Sequence, residues 1–304
     1  MLSLAAFLAA CGGGSTEPAV PPPPTAAGTT STAVPPLEER ARLLEYDDTA
    51  PLGVVERKTR THNGAEVVDL AFQAADRKVS AFLVRPQDEP RAAVLWAHWL
   101  GEGPTANRTE FLPDAVELAK DGVVSLLTQG MFPWEEPVSD DPQTDLQLIV
   151  DQTVQLRRGL DLLQEEAGDV PIGFVGHDYG AMYGSLLVAD KRPQAYVLMA
   201  PDATFSNWFI KYFVPNASKP EMDETFAPVE PVNNVGDVTP AGVFLQFAQS
   251  DRYVPYYVAD ELTEAAGASS RAETYATDHQ LDFVAARKDR LAWLREELGL
   301  APGA

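Results

Sequence analysis

A short glycine-rich segment in the middle of the chain constrains its fold most. Residues 176–180 read Gly-His-Asp-Tyr-Gly and directly follow an apolar run at 171–175. A reactive side chain with a small residue two positions before and after it is typical of a sharp turn between a strand and a helix. The backbone folds back on itself in such a turn, so Gly176 and Gly180 would be required sterically. The turn would hold Asp178 at its tip and point the backbone N–H of Tyr179 to where negative charge develops.

An aspartate at this tip, where serine is more usual, changes the chemistry that the turn can support. A carboxylate that attacks an alkyl carbon forms a covalent ester. The same carboxylate attacking an ester carbonyl would form a mixed anhydride, which is higher in energy. Asp178 therefore favours attack on an alkyl carbon. The alternative interpretation is an ordinary glycine-rich turn of an α/β protein.

Alternating apolar and amphipathic segments predict the architecture from residue 37 onward. Short apolar or alternating runs predict strands, and longer segments with helical spacing predict helices. The predicted strands are 66–71, 78–84, 92–97, 123–127, 171–175, 195–199, 243–247 and 271–276. The predicted helices are 109–121, 146–163, 179–189 and 284–298. Together they indicate an α/β fold with a doubly wound, mostly parallel sheet, whose functional residues gather at the carboxyl ends of the strands.

Two polar residues follow late strands of this sheet. Asp251 comes after the strand at 243–247, and His279 follows the last strand. The order Asp178, Asp251, His279 is that of nucleophile, acid and histidine in α/β-hydrolases. Residues 65–298 thus resemble the α/β-hydrolase superfamily, with a dienelactone-hydrolase-like architecture. The Gly-His-Asp elbow itself is similar to that of epoxide hydrolases and haloalkane dehalogenases.

The resemblance implies a role for each of these residues. Asp178 would attack the substrate and form a covalent ester, and His279 would activate the water that hydrolyses it. Asp251 would orient the imidazole and stabilise its charged form. Two alternatives remain open: Asp251 could be only a helix N-cap, and Asp202, after the preceding strand, could be the acid, as in some dehalogenases.

The segment after the strand at 92–97 departs from the family pattern. Where His-Gly is usual, this chain has His98-Trp99-Leu100-Gly101. The backbone N–H of Trp99 or Leu100 could serve with that of Tyr179 in binding an oxyanion. The Trp99 indole could instead donate to a leaving group, or the ring could simply pack.

A short insertion at about 203–227 predicts a helical lid. Its aromatic residues fall on one helix face, at Phe205, Trp208, Phe209, Tyr212 and Phe213. From this stripe we expect Trp208, Phe209 and Tyr212 to line the substrate pocket, although an aromatic stripe is also typical of core packing. Epoxide hydrolases use lid tyrosines to polarise the epoxide oxygen, and this stripe supplies only one.

The N-terminal segment predicts export and lipid attachment. Cys11 is the only cysteine, and it follows the apolar residues 1–10 in a context that resembles a bacterial lipobox. Residues 1–11 are therefore predicted to be a lipoprotein-type signal segment, and the Pro, Gly, Ser and Thr tract at 12–36 a tether to a hydrolase domain at 37–304. The predicted address is the bacterial cell envelope, with membrane contact only through a lipid on Cys11. An ordinary leader with an accidental cysteine is the alternative.

Charge and motif content limit the partners that we expect. The net charge of −22 argues against binding to nucleic acid. No metal-ligand cluster or phosphate-binding glycine loop is evident, so we expect no cofactor and a small-molecule substrate. The sequence thus predicts a cofactor-independent hydrolase of epoxides or alkyl halides. A carboxylester or lactone hydrolase and an inactive binding protein on the same fold are the alternatives.

Overall fold

A computed structural model describes residues 33–101, 105–238 and 241–300. Cys11, the predicted signal segment and the predicted tether up to residue 32 lie outside these ranges. In the described part of the chain, nine strands form one sheet. They are β1 (Val55–His62), β2 (Ala65–Ala74), β3 (Arg77–Arg85), β4 (Ala92–Ala97), β5 (Val123–Thr128), β6 (Ile172–His177), β7 (Pro193–Met199), β8 (Gly242–Ala248) and β9 (Arg271–Tyr275).

The sheet order brings the ends of the central strands together. The order is β1-β2-β3-β5-β4-β6-β7-β8-β9. Strands β1 to β3 pair antiparallel, as do β3 and β5, whereas all pairs from β5 to β9 are parallel. Ala97 pairs with Gly176, and His177 pairs with Met199. The residues that follow β4, β6 and β7 therefore emerge side by side at one edge.

Helices cover both faces of the sheet. The α-helices in the described ranges are α1 (Leu37–Leu43), α2 (Leu112–Ala119), α3 (Pro142–Ala167), α4 (Tyr179–Ser185), α5 (Phe205–Tyr212), α6 (Lys219–Phe226), α7 (Pro231–Asn234), α8 (Tyr256–Ala266) and α9 (Val284–Glu297). Successive residues of β6 enter different cores, Phe174 on one face and Val175 on the other. Burial on both faces explains why the central strands read as continuous apolar runs. No helix in the three ranges is both long and apolar enough to cross a membrane.

The predicted α/β fold is confirmed, with differences at the periphery. Strand β1 was not predicted, because its sequence is mostly polar and all eight of its residues are exposed. Such a charged edge strand discourages pairing with other chains and leaves no apolar pattern to detect. Helix α2 is shorter than predicted and has Pro113 in its first turn. Helix α4 ends at Ser185, and a single 3₁₀ turn at Leu187–Ala189 follows it.

The predicted insertion at about 203–227 contains two short helices, α5 and α6, and a third, α7, follows before β8. The carboxylate of Glu230, just before α7, accepts hydrogen bonds from the backbone N–H groups of Phe205 and Ser206 in the first turn of α5. Burial raises the pKa of Glu230 to about 8, although these N–H groups favour the charged form. The start of α5 is therefore fixed by a buried side chain that lies beyond α6, just before α7.

Candidate active site

Asp178 sits at a strained backbone position between β6 and α4. Its φ and ψ are 54° and −118°, a conformation that non-glycine residues rarely adopt. A Cβ added to Gly176 would lie 2.3 Å from the carbonyl oxygen of Gly180, and one added to Gly180 would lie 2.2 Å from that of Ala97. The steric requirement for small residues on both sides of Asp178 is confirmed.

The two carboxylate oxygens of Asp178 have different surroundings. Oδ2 accepts a hydrogen bond of 3.0 Å from the backbone N–H of Leu100, and the N–H of Tyr179 also stabilises the charged carboxylate. Oδ1 has no hydrogen-bond partner among the described residues and lies 3.9 Å from Nε2 of His279. Complete burial raises the pKa of Asp178 to about 7, opposed by His279 and the two N–H groups. The carboxylate thus has one oxygen held and one oxygen available.

His279 is oriented by Asp251. Its Nδ1 lies 2.8 Å from Oδ2 of Asp251, and both side chains are buried. The other oxygen of Asp251 accepts hydrogen bonds from the N–H groups of Tyr253 and Val254. Asp251 therefore closes the turn after β8 and also directs Nε2 of His279 toward Asp178. The alternative that Asp251 is a helix N-cap is wrong, because the N-cap of α8 is Pro255 and no side chain among the described residues caps that helix.

Asp202 occupies a different place. It follows β7 and is buried, but its Oδ1 accepts a hydrogen bond of 3.0 Å from the N–H of Thr204, next to the start of α5. Burial raises its pKa to about 6. The structure pairs His279 with Asp251 and not with Asp202.

The expected use of the Trp99 backbone is corrected by the structure. The N–H of Trp99 donates to Oε2 of Glu110 at 2.9 Å, so only the next N–H, that of Leu100, reaches Asp178. The Trp99 ring is buried and stacks on His177, with centroids 5.5 Å apart. Trp99 is also absent from the lining of the pocket at Asp178. The insertion of Trp99 into the usual His-Gly pattern shifts the donor by one residue.

His98 stabilises the loop that follows β4 through two hydrogen bonds. Its Nε2 accepts a hydrogen bond of 3.0 Å from the N–H of Gly130, so its Nδ1 carries the proton and donates to the carbonyl of Trp99. Burial lowers the pKa of His98 to about 4, which keeps the ring neutral. This histidine ties the residues after β4 to those after β5.

A cavity of about 330 Å³ opens onto Asp178 and His279. Its described lining is Leu100, Gly101, Asp178, Trp208, Tyr212, Phe213, Tyr253 and His279. Trp208 and Tyr212 line it as predicted. Phe209 does not, because it points into the core and packs edge-on against Phe132 and Phe226. Helix α5 thus uses one side of its aromatic stripe for the core and the other for the pocket.

Tyr253 was missed at the sequence level. Its ring lies 4.8 Å from that of His279 and 5.8 Å from that of Tyr212, measured between centroids. Its position two residues after Asp251 was the available signal, since the turn that contains the acid also brings Tyr253 to the pocket.

Burial raises the pKa of Tyr212 above its ordinary range, so the Tyr212 hydroxyl stays protonated at neutral pH.

The described ranges contain no group of three or more His, Cys, Asp or Glu side chains arranged to hold a metal ion.

Comparison with known proteins identifies the fold. No protein-family model and no curated protein sequence matches the chain. Among solved structures, it is similar to acetyl xylan esterase 1 from a Thermoanaerobacterium species, with a TM-score of 0.67, 12% identity and coverage of 87% of this chain and 93% of that chain. The acetyl xylan esterase of a Paenibacillus species gives a TM-score of 0.65 at 15% identity, covering 85% of this chain and 92% of that one.

A third similar structure is a putative dienelactone hydrolase from Klebsiella pneumoniae. Its TM-score is 0.55 at 14% identity, with coverage of 81% of this chain and 98% of that chain. These likenesses extend over nearly the whole of each neighbour, and at such low identity they describe the backbone alone. The chain has an α/β-hydrolase-type fold, with an aspartate at the strand-to-helix elbow after β6.

Proposed function

We propose that this chain is a cofactor-independent hydrolase in which Asp178 is the nucleophile. The observation that carries the proposal is the asymmetry of the Asp178 carboxylate. Oδ2 is held by the N–H of Leu100, whereas Oδ1 is unbonded among the described residues and faces Nε2 of His279. A carboxylate that only stabilises a loop has no use for a free, buried oxygen beside a histidine.

In the first step, Oδ1 attacks an electrophilic carbon of the bound substrate. The bond from that carbon to the leaving group breaks, and the leaving group departs with the electron pair. Asp178 is left as an ester through Oδ1, and its Oδ2 becomes the ester carbonyl oxygen. The backbone N–H of Leu100 already donates to this oxygen, and the N–H of Tyr179 stabilises the same carboxylate.

In the second step, His279 removes a proton from water, and the resulting hydroxide attacks Cγ of Asp178. Negative charge develops on Oδ2, where the N–H of Leu100 stabilises it. Collapse of the intermediate expels the alkoxide product, which takes the proton from His279. The Asp178 carboxyl keeps the oxygen that came from water and releases its remaining proton, while Asp251 stabilises the transient imidazolium.

The chemistry of the nucleophile and the pocket supports an epoxide or an alkyl halide as substrate. A carboxylate displaces a leaving group from an alkyl carbon without passing through an anhydride. Tyr212 and Tyr253 line the cavity, and a phenol can protonate the alkoxide formed when an epoxide opens. A cavity of about 330 Å³ is at the small end for ligand sites, which favours a compact substrate.

Hydrolysis of carboxylesters or lactones is the second candidate. It is favoured by the similarity in fold to acetyl xylan esterases and to a putative dienelactone hydrolase. On this route Asp178 would attack an acyl carbon, and the covalent intermediate would be an anhydride. The two candidates differ in what is attached to Asp178, an alkyl group or an acyl group.

The test is to trap this intermediate. A His279→Gln variant of the full chain is mixed with a panel of small epoxides, haloalkanes, lactones and short esters, and the intact mass is measured. We expect the mass of an alkyl group or an opened epoxide to be added at Asp178, and no adduct in Asp178→Ala. An acyl adduct would support the second candidate. Turnover that persists in Asp178→Ala would refute a nucleophilic aspartate, and silence of the wild type across the panel would favour an inactive binding protein.

A further inference from the structure

We propose that Glu110 and His177 are a pair of positioning residues that set the geometry of both halves of this site. Neither residue lines the cavity at Asp178. The pair instead links the loop that carries the Leu100 N–H to the loop that carries His279. The proposal rests on the proposed function, since it assigns these residues a role in the two steps described above.

Glu110 holds the loop after β4. Its Oε2 accepts the N–H of Trp99 at 2.9 Å. The next N–H along the chain, that of Leu100, donates to Oδ2 of Asp178. The bond from Glu110 holds the peptide plane on one side of the Trp99 Cα atom, and the Trp99 carbonyl on the other side accepts from His98 and Trp134, so the two together limit where the Leu100 N–H can point.

His177 holds the loop after β9. It is fully buried, and its Nε2 lies 2.9 Å from the backbone carbonyl oxygen of His279. A carbonyl oxygen only accepts, so Nε2 carries a proton and donates it. The stacked Trp99 ring closes the other side of the imidazole. His177 thus anchors the backbone of the residue whose side chain Asp251 orients.

The two residues are joined by a short hydrogen bond. Nδ1 of His177 lies 2.6 Å from Oε1 of Glu110. Since Nε2 already carries its own proton, a second proton must lie between Nδ1 and Oε1, for otherwise two lone pairs would face each other at this distance. One continuous set of hydrogen bonds therefore runs from Trp99 through Glu110 and His177 to His279.

The length of this connection sets the expected effect. The bond from Glu110 to the Trp99 N–H lies one residue from the Leu100 N–H, and the bond from His177 to the His279 carbonyl lies one side chain from the His279 imidazole. Loss of either bond therefore shifts a group that takes part in the reaction. Displacing a reacting group by about 1 Å costs on the order of 100-fold in rate. Neither residue touches the substrate, so the effect should fall on kcat, and a loss confined to adduct hydrolysis should lower kcat and KM together.

Conservative substitutions separate positioning from charge at Glu110. In Glu110→Gln, the amide oxygen can accept the Trp99 N–H while the amide NH₂ donates to Nδ1 of a neutral His177, so both bonds are kept. In Glu110→Ala both are lost. We expect kcat of the glutamine variant to stay within about 10-fold of the wild type and that of the alanine variant to fall about 100-fold.

Two substitutions at His177 separate its two bonds. An asparagine places its amide NH₂ near the position of Nδ1 and retains the bond to Glu110, whereas a glutamine reaches the position of Nε2 and retains the bond to the His279 carbonyl. His177→Asn should form the covalent adduct normally but hydrolyse it about 100-fold more slowly, so that the adduct accumulates. His177→Gln should hydrolyse it at nearly the normal rate. His62→Asn, at an exposed position on β1, is the matched control and should match the wild type.

The experiment measures adduct formation, adduct hydrolysis, kcat and KM in these full-chain variants. The proton NMR spectrum is recorded in parallel, because the short Nδ1–Oε1 bond should give a far-downfield resonance that is present in the wild type and in His62→Asn. The resonance should disappear in Glu110→Ala and His177→Gln.

Three results would overturn the positioning proposal in an active wild type: absence of the resonance, equal defects in Glu110→Gln and Glu110→Ala, or indistinguishable adduct hydrolysis in the two His177 variants. A wild type that forms no adduct would overturn the proposed function, and with it the catalytic role of the pair, whatever the NMR spectrum shows.

Discussion

Replacing Asp178 by asparagine should remove activity and at the same time stabilise the folded protein at alkaline pH. Asp178 is fully buried, and its pKa rises from 3.8 to about 7 on folding. A carboxyl whose pKa is higher in the folded state binds its proton more tightly there. The folded state therefore loses stability as the pH rises from about 4 to about 7, and the whole cost is present above that range.

The difference between these two pKa values corresponds to about 4 kcal/mol, an upper figure for the cost of ionising Asp178 in its buried site. Asparagine has nearly the same shape and does not titrate. The stability of Asp178→Asn relative to the wild type should therefore increase between pH 4 and pH 8 by up to about 4 kcal/mol. Titrations shared by the two proteins cancel in this difference.

Urea unfolding at pH 4, 6 and 8, followed by circular dichroism, measures the effect as a shift in midpoint. Asp202→Asn is the comparison variant, because burial raises the pKa of Asp202 only to about 6. Its relative stability should change in the same direction, by less, and mainly below pH 6. A difference between Asp178→Asn and the wild type that does not vary with pH would refute the reasoning.

Three further outcomes follow from the geometry. Asp251→Asn should lower turnover by about 10⁴-fold, because it loses the carboxylate that fixes the His279 tautomer. The covalent adduct should then accumulate in single-turnover mass spectrometry, whereas normal turnover would indicate that Asp202 is the acid. Phe209→Ala should destabilise the fold by about 3–5 kcal/mol in urea unfolding, because Phe209 is buried in the core. Phe213→Ala should change the stability little but alter KM, because Phe213 lines the cavity; the reverse pattern would contradict these two placements. Gly180→Ala should fail to fold or lose more than about 2 kcal/mol of stability, because its Cβ would lie 2.2 Å from a fixed carbonyl oxygen. Gly159→Ala should be much milder, because the nearest atom to its Cβ is a movable methyl group at 3.1 Å, and equal costs would argue against the steric account of the elbow.

Sequence reasoning predicted the centre of the fold because burial leaves a strong pattern there. Strands β4 to β8 are almost entirely buried on both faces, so each reads as a mainly hydrophobic run. The elbow was predictable because only glycine fits at 176 and 180. Strand β1 was not, since its stability comes from pairing with β2 and its exposed residues carry no apolar signal.

The candidate site was predictable only where a residue follows a strand directly. Asp178, Asp251 and His279 meet because they lie after the ends of β6, β8 and β9. The direction of a side chain or an N–H group depends on contacts that are distant in sequence. Glu110 decides which backbone N–H reaches Asp178, and packing against Phe132 and Phe226 turns Phe209 inward.

The contact between Glu110 and His177 could not be predicted from the sequence either. The two residues are 67 positions apart, and nothing in either local sequence indicates that they touch. Glu110 lies at the start of the first predicted helix, and His177 lies inside the elbow. Their contact follows from the order of strands β4 and β6 in the sheet, which a single sequence leaves undetermined.

The most direct test of a nucleophilic Asp178 is a single turnover in water enriched in ¹⁸O, with the full chain in excess over the best substrate of the panel. The account predicts that the product of this first turnover contains no ¹⁸O, because its new oxygen comes from the Asp178 carboxylate. The peptide that contains Asp178 should gain one ¹⁸O atom. An ¹⁸O atom in the first product, with an unlabelled Asp178 peptide, would show that water attacks the substrate directly and would contradict the account.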